Sequence, residues 1–135
     1  MSACEWVDLL VDPRGIRDAF TTPPDLDECS LFYFHIDERG TSITLGFDIR
    51  LVPGALLHEN EEAESNAFEF FITFVSVSDL KISGWGGSMK RSVRMSRSEQ
   101  GGEITLSVTS PTEHISFQAQ EARISRARAY LRAVP

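Results

Sequence analysis

Three histidines, two cysteines and a run of glutamates are the side chains of this sequence with the clearest capacity for chemistry. His58 adjoins Glu59 and lies close to Glu61, Glu62 and Glu64, and imidazole and carboxylate together can hold a metal ion. The spacing is not the His-Glu-x-x-His that sets two imidazoles on one helical face, so the favoured reading is a solvated acidic loop without a metal. His35 and His114 occupy positions that alternate with apolar residues in strand-like segments. Cys4 and Cys29 lack the clustered partners that zinc requires. Counting allows one disulfide between them, but two inert free thiols in a reducing compartment are the favoured state. The serines are many, yet none sits in Gly-x-Ser-x-Gly, neither cysteine has a nucleophile signature, and Asp37 and Glu38 read as ordinary hairpin residues. No catalytic residue, cofactor-binding residue or metal ligand is assigned, and the chain is not expected to be an enzyme.

Two further stretches invite functional readings. Residues 83–88, SGWGGS, look like a phosphate-cradling loop but lack both the Gly-x-Gly-x-x-Gly spacing and a following helix. A strand end, with Trp85 packed on a sheet and Gly84, Gly86 and Gly87 permitting a sharp bend, is the simpler account. Lys90, Arg91, Arg94 and Arg97 make a basic strand that could meet an acidic protein patch or the chain's own carboxylates. A direct nucleic-acid interface needs a larger basic field, which a net charge of −7 opposes. The charge is also uneven. Residues 1–79 carry sixteen Asp or Glu against four Arg, a balance of −12, and residues 80–135 have a balance of +5. Either the surface is polarised or the two segments interleave in space and the asymmetry fades.

The elements that must position these groups follow from periodicity. Trp6, Leu9 and Leu10, then Ile16, Ala19 and Phe20, recur at helical spacing. Asp12-Pro13 restarts the turn between the two sets, and Thr21-Thr22-Pro23-Pro24 ends it. From Ser30 the period becomes 2. Phe32, Phe34 and Ile36 are linked through Glu38-Arg39-Gly40, with Gly40 expected left-handed, to Ile43, Leu45, Phe47 and Ile49. The first of these strands is apolar on both faces and is expected inside the sheet, and the second has one solvated face. Residues 51–66 are better read as a loop than as a short Glu-rich helix. Strands follow at Phe68–Phe74, Leu80–Ile82, Val93–Met95, Ile104–Val108 and Ile115–Phe117. Over residues 120–132 helical spacing returns, with Ile124, Ala127, Tyr130 and Leu131 inward and the arginines outward. The expected fold is α+β: an antiparallel meander of about seven strands, with a short N-terminal helical segment and a C-terminal helix on one face. Residues 1–135 form a single domain on this reading, because 135 residues, 41% of them hydrophobic, suffice for one core without a staple. No apolar run approaches the roughly 18 residues of a membrane span, and MSACEWVDLL has no secretory pattern, so neither a membrane partner nor export is expected.

The opening Trp6-x-x-Leu9-Leu10-x-x-Pro13, with Ile16, Phe20 and Pro24-x-Leu26, resembles the start of the immunity protein 50 family of bacterial polymorphic toxin systems. The likeness continues through Glu38-Arg39-Gly40, the strand to Ile49, Leu80-x-Ile82-x-Gly84-Trp85 and Tyr130. It departs at residues 51–66, where members are richer in proline and tryptophan. The resemblance implies a cytoplasmic bacterial protein that binds and neutralises a cognate toxin domain by occlusion, without catalysis or cofactor. Glu59, Glu61, Glu62 and Glu64 would then meet a basic partner surface, such as that of a nuclease, with Tyr33 as an aromatic anchor. The alternatives are a small-molecule-binding or enzymatic β-domain, which needs an enclosed pocket of convergent polar groups, and an oligomer subunit with an apolar outer sheet face.

Overall fold

The computed structural model describes residues 6–57, 65–84, 86, 91–100 and 102–132. The alternating segments form eight strands: β1 (Ser30–Asp37), β2 (Ser42–Arg50), β3 (Ala67–Val75), β4 (Ser78–Ser83), β5 (Ser92–Arg97), β6 (Ile104–Thr109), β7 (His114–Ala119) and β8 (Glu121–Tyr130). They make two four-stranded sheets, in the orders β1-β2-β3-β8 and β4-β7-β6-β5, with every neighbouring pair antiparallel.

The two sheets share a single creased ribbon. Only Ser76 and Val77 separate β3 from β4, and only Gln120 separates β7 from β8. β3 pairs with β8 and β4 with β7, in a register that carries across the connections from Val75 opposite Glu121 to Ser78 opposite Gln118 and then shifts by one residue between Ser78 and Lys81. Gln120 N–H donates to the Val75 carbonyl at 3.0 Å, so the ladder is kept at the bend. Ser76 and Asp79 take the sharp turn at φ of 56° and 57°, a backbone region that non-glycine residues seldom visit. Bent strands that pass from one sheet to the next are how two packed sheets make a corner. The Thr41 carbonyl accepts from Val77 N–H at 2.9 Å, tying the β1–β2 turn to the crease. In that turn Thr41, at φ 47°, takes the left-handed conformation expected of Gly40.

Both sheets turn one apolar face to a common core. Phe47, Phe70 and Phe74 come from the first sheet, and Leu106, Ile115 and Phe117 from the second, all essentially solvent-free. The Phe74 and Phe117 rings meet edge to face at 5.1 Å and join the two. The N-terminal segment comprises a 3₁₀ turn (Trp6–Leu9), a single helical turn α1 (Arg14–Arg17) and a second 3₁₀ turn (Leu26–Glu28). Trp6 stacks on Phe70 at 5.3 Å, and its indole N–H donates to the Pro24 carbonyl at 2.8 Å, so the large ring is buried with its polar atom satisfied. Asp12 accepts from Arg14 N–H at the restart, and the Arg14 guanidinium holds its carboxyl down at about 2. Val11 N–H donates to the Ala122 carbonyl at 2.9 Å, covering part of the β8 edge that would otherwise present unpaired backbone.

A buried ion pair fastens the far end of the second sheet. The Glu113 side chain accepts from Arg91 Nε at 2.9 Å, from Gly86 N–H at 2.9 Å and from the Ser110 hydroxyl at 3.2 Å, while Arg91 Nη1 reaches the Leu31 carbonyl at 3.1 Å. Arg91 is therefore a structural clamp rather than part of an exposed basic strand. Gly84, at φ 73°, passes so close to the Thr112 carbonyl that an added Cβ would lie 2.0 Å from it, so the bend expected for residues 83–88 does require glycine there. Trp85, Gly87, Ser88 and Lys90 lie outside the described residues.

Several expectations are corrected. The C-terminal helix is β8, and the single meander of about seven strands is eight strands in two sheets. The helical reading of residues 120–132 arose from a β-bulge. Ala122 and Ile124 face inward, the pairing then skips Ser125, and inward positions resume at Ala127. One inserted residue converts a spacing of two into three, which mimics a helix. Tyr130 instead sits on the outer face, and Leu131 is exposed. β1 is an edge strand, not an interior one; its second apolar face remains uncovered by described residues. Leu80 and Ile82 on edge strand β4 are exposed rather than part of the core. The charge asymmetry fades by interleaving: Arg128 pairs with Glu69, Arg132 with Asp48 and Arg91 with Glu113. No helix among the described residues is long and apolar enough to cross a membrane.

Phe70→Ala, which empties a site between Trp6 and Phe47, is expected to cost about 3–5 kcal/mol in urea denaturation. Phe32→Ala, half-exposed at 52%, should cost less than about 1 kcal/mol. Equal midpoints for the two variants would contradict this core. Cys29 is a buried free thiol, pushed up to about 12 first by desolvation and then by the negative charges of Glu28, Asp48 and Asp25. In a Cys4→Ser background it should react with iodoacetamide at pH 8 at least roughly a hundredfold more slowly than in the denatured chain, since the thiolate is the nucleophile. Comparable rates folded and unfolded would overturn that placement.

Candidate functional site

Alternation sends Tyr33 and His35 of β1, Thr44, Gly46 and Asp48 of β2, Glu69, Phe71 and Thr73 of β3, and Arg123, Arg126, Arg128 and Tyr130 of β8 to the outer face of the first sheet. Its centre is the directly opposed pair Gly46 and Phe71. At this level both outer strands are bulged. The β1 pairing slips between Leu31 and Tyr33 and leaves Phe32 extra, and the β8 pairing slips between Ile124 and Arg126 and leaves Ser125 extra. A bulge re-aims side chains and bends its strand, and such features gather beside functional sites.

The β1 bulge delivers two successive aromatic residues to one spot. Phe32 and Tyr33 both meet the Phe71 ring edge to face, at 5.6 and 5.5 Å, and Tyr33 also stacks against His35 at 6.1 Å. Gly46 makes this possible. A Cβ at that position would come within 2.7 Å of both the Phe71 ring and the Tyr33 Cβ. The β8 bulge supplies the opposite wall, where the Ser125 hydroxyl donates to the Phe71 carbonyl at 3.4 Å and Arg126 stands beside it. Tyr33, Thr44, Phe71, Ser125 and Arg126 line an open cleft of about 410 Å³.

A polar rim borders the cleft on one side. Asp48 and Glu69 are cross-strand neighbours, a like-charged pair that would repel if left alone. Arg128 Nε donates to Glu69 at 2.5 Å, while the Tyr130 hydroxyl and Arg132 donate to Asp48 Oδ2 at 2.8 and 3.3 Å. Arg128 also lies over the Tyr130 ring, 5.0 Å from its centre. Burial first, and then the bond to Asp48, holds the Tyr130 hydroxyl above its ordinary pKa. On the other side the Thr44 and Thr73 hydroxyls are hydrogen-bonded across the strands at 3.0 Å.

Aromatic surface, engaged hydroxyls and a guanidinium can bind, and such a centre with a polar rim matches the anatomy of a protein–protein contact. Phe32 and Tyr33 are 52% and 42% exposed, and together they leave adjoining aromatic surface open beside Phe71. Tyr33, expected as an anchor from sequence, lies on the outer face of edge strand β1, against Gly46 and Phe71. Glu59, Glu61, Glu62 and Glu64, together with His58, lie outside the described residues. His35 and His114 are both exposed, and among the described residues no three His, Cys, Asp or Glu side chains are grouped to hold a metal. Phe32, Gly46, Phe71 and Arg126 were not singled out from sequence. The available signal was a lone glycine within a confident strand, facing a run of three aromatic residues, Phe32-Tyr33-Phe34.

Comparison with known protein families finds that the family model described as Immunity protein 50 matches residues 12–130. No curated protein and no solved structure matches the chain.

The packing around Gly46 can be tested directly. Gly46→Ala should destabilise the protein by about 1–3 kcal/mol through overpacking. In the background of Phe71→Leu the same change should cost markedly less, giving a double-mutant coupling of about 1 kcal/mol. Additive effects would show that the glycine does not serve the aromatic cluster.

Proposed function

Because the chain belongs to the immunity protein 50 family, we propose that it binds a cognate bacterial toxin domain and neutralises it by occlusion, without catalysis and without a cofactor. The observation that supports this reading beyond the family is the exposed aromatic pair Phe32 and Tyr33 packed on half-buried Phe71, bounded by paired charges. Aromatic residues of this kind supply most of the binding energy in a protein interface, and the rim excludes water around them. Occlusion requires only complementary shape and charge over the toxin's working surface, so the protein needs no reactive group of its own. The chain acts in the bacterial cytoplasm as one domain over residues 1–135, with neither a membrane nor nucleic acid as a direct partner. Tyr33 is a binding residue in this account. Glu59, Glu61, Glu62 and Glu64 add a negative field that speeds encounter with a basic part of the toxin surface, such as the substrate groove of a nuclease.

The test uses the toxin domain encoded beside this chain's gene. Its activity should fall linearly with added protein and vanish at one equivalent, and Tyr33→Ala should weaken the complex about tenfold or more. Inactivation by far less than one equivalent, or a covalent change in the toxin, would mean turnover and would refute occlusion. Changing all four glutamates to glutamine should slow association and flatten its salt dependence.

A further inference from the structure

The arginines of β8 and its C-terminal extension are not equivalent. Arg123 is engaged by Glu121 at 2.7 Å, Arg128 by Glu69 at 2.5 Å and Arg132 by Asp48 at 3.3 Å. The Arg126 side chain, which lines the cleft, forms no ion pair or hydrogen bond with any described residue. The β8 bulge places it directly across from Phe71, with the Ser125 and Thr44 hydroxyls alongside and Tyr33 on the opposite wall.

We propose that this cleft is the docking point for an acidic side chain of the partner, with the carboxylate on Arg126 and its methylene stem, or an adjoining apolar residue, against Tyr33 and Phe71. The inference rests on the toxin-binding reading above and specifies the chemistry of the partner's contact. Three properties of the site select a carboxylate. A guanidinium without an internal acid offers its donor fork to an incoming anion, and the planar, two-pronged match to a carboxylate is the strongest it can make. The aromatic walls exclude water from one side of that contact, which strengthens the charge interaction relative to the open surface. A cleft of about 410 Å³ accommodates one or two protruding side chains, not a helix or a duplex. A phosphate backbone is a poorer match, because it would also run past Asp48, Glu69 and Glu121, whose carboxylates already occupy the neighbouring arginines. In a chain of net charge −7 a cation without an internal acid is a favoured point of contact for an acidic side chain, so the contact fixes register as well as affinity. The partner surface then carries a basic region for the 59–64 glutamates and an acidic protrusion for Arg126.

Affinity for the toxin domain encoded beside the gene should be measured for the parent, Arg126→Ala, Arg126→Glu and, as a control of equal charge change on β4 of the other sheet, Lys81→Glu. All four should have thermal midpoints within about 2 °C, since the Arg126 side chain has no internal partner and the Lys81–Asp79 pair is solvent-exposed and contributes little. The expected result is a Kd raised about ten- to a hundredfold by Arg126→Ala, and further by Arg126→Glu, with Lys81→Glu within about threefold of the parent. Replacing one exposed acidic residue of the toxin by lysine should restore binding to Arg126→Glu but not to the parent. If the toxin binds the parent and Arg126→Glu equally, the docking point is overturned while toxin binding stands. A second measurement is independent of the toxin. In NMR titrations with millimolar phenylacetate and with neutral benzamide, the resonances of Tyr33, Phe71 and the Arg126 side chain should respond to the carboxylate alone and lose the response in Arg126→Ala. Equal responses to the two compounds overturn the carboxylate preference. A toxin that fails to bind the parent, with the phenylacetate preference intact, overturns the toxin reading and leaves the cleft's chemistry standing. Displacement of phenylacetate by a short single-stranded oligonucleotide would reassign the site to phosphate and overturn the proposal of a protein partner.

Discussion

The crease at Ser76 and Gln120 is the constraint on which the rest of the architecture depends. Two antiparallel strand pairs that would lie flat as one long ribbon are folded over with a single one-residue shift beside Asp79, and that fold-over sets the first sheet opposite the second. With β3 and β8 lying over β4 and β7, the β1–β2 hairpin adds beside β3 and the β5–β6 hairpin beside β7. The core follows from the same geometry, since Phe74 and Phe117 flank the crease on opposite sheets and meet across the gap. Because Gln120 is the whole connection between β7 and β8, the crease leaves no room for slippage. A shift by one residue would turn Ala122 and Ile124 outward and Arg123 into the core.

The ribbon also accounts for the uneven charge of the sequence. Placing Asp48 opposite Glu69 on adjacent strands is unfavourable in isolation, and the strand that lies beside them is the arginine-rich β8. Arg128 and Arg132 reach across to those carboxylates, so acidic residues from the first half of the chain and basic residues from the second are partners within one sheet. Such exposed and half-exposed pairs contribute little stability individually. Their effect here is to set which carboxylate and which guanidinium are left over, and it is this remainder, more than the net charge, that a partner would sense.

Much of the fold was legible because alternation is a strong signal where it is unbroken. All seven strands read from period-2 spacing exist, and a helical turn does restart after Asp12-Pro13, although it ends at Arg17, before Phe20 and the prolines expected to stop it. What was not legible came from two places where the spacing is broken and from pairings over long sequence separations. The bulge at Ser125 rewrote β8 as an apparent helix, and alanine and arginine, both good helix formers, reinforced the error. The bulge at Phe32 hid the outward aromatic pair inside what read as a strand apolar on both faces. The division into two sheets could not be seen at all, because only the crease, a matter of backbone conformation at Ser76 and Asp79, distinguishes it from one continuous meander. The outer face was half legible. Tyr33 was expected from sequence to be exposed, whereas its packing against Gly46 and Phe71, and the position of Arg126 across the cleft, are properties of cross-strand register, which no local pattern reports.

Residues of the core and residues of the outer face take turns along β2 and β3: Leu45, Phe47, Phe70 and Ile72 point one way, and Thr44, Asp48, Glu69 and Thr73 the other. The two sets touch different neighbours, so substitutions in the outward set can accumulate without disturbing the inward one. The outer face can thus be rewritten one residue at a time while the scaffold stays constant. Gly46 is the exception. It belongs to the outer set by position, yet any side chain there collides with Tyr33 and Phe71, so lineages that keep this aromatic centre are bound to keep the glycine.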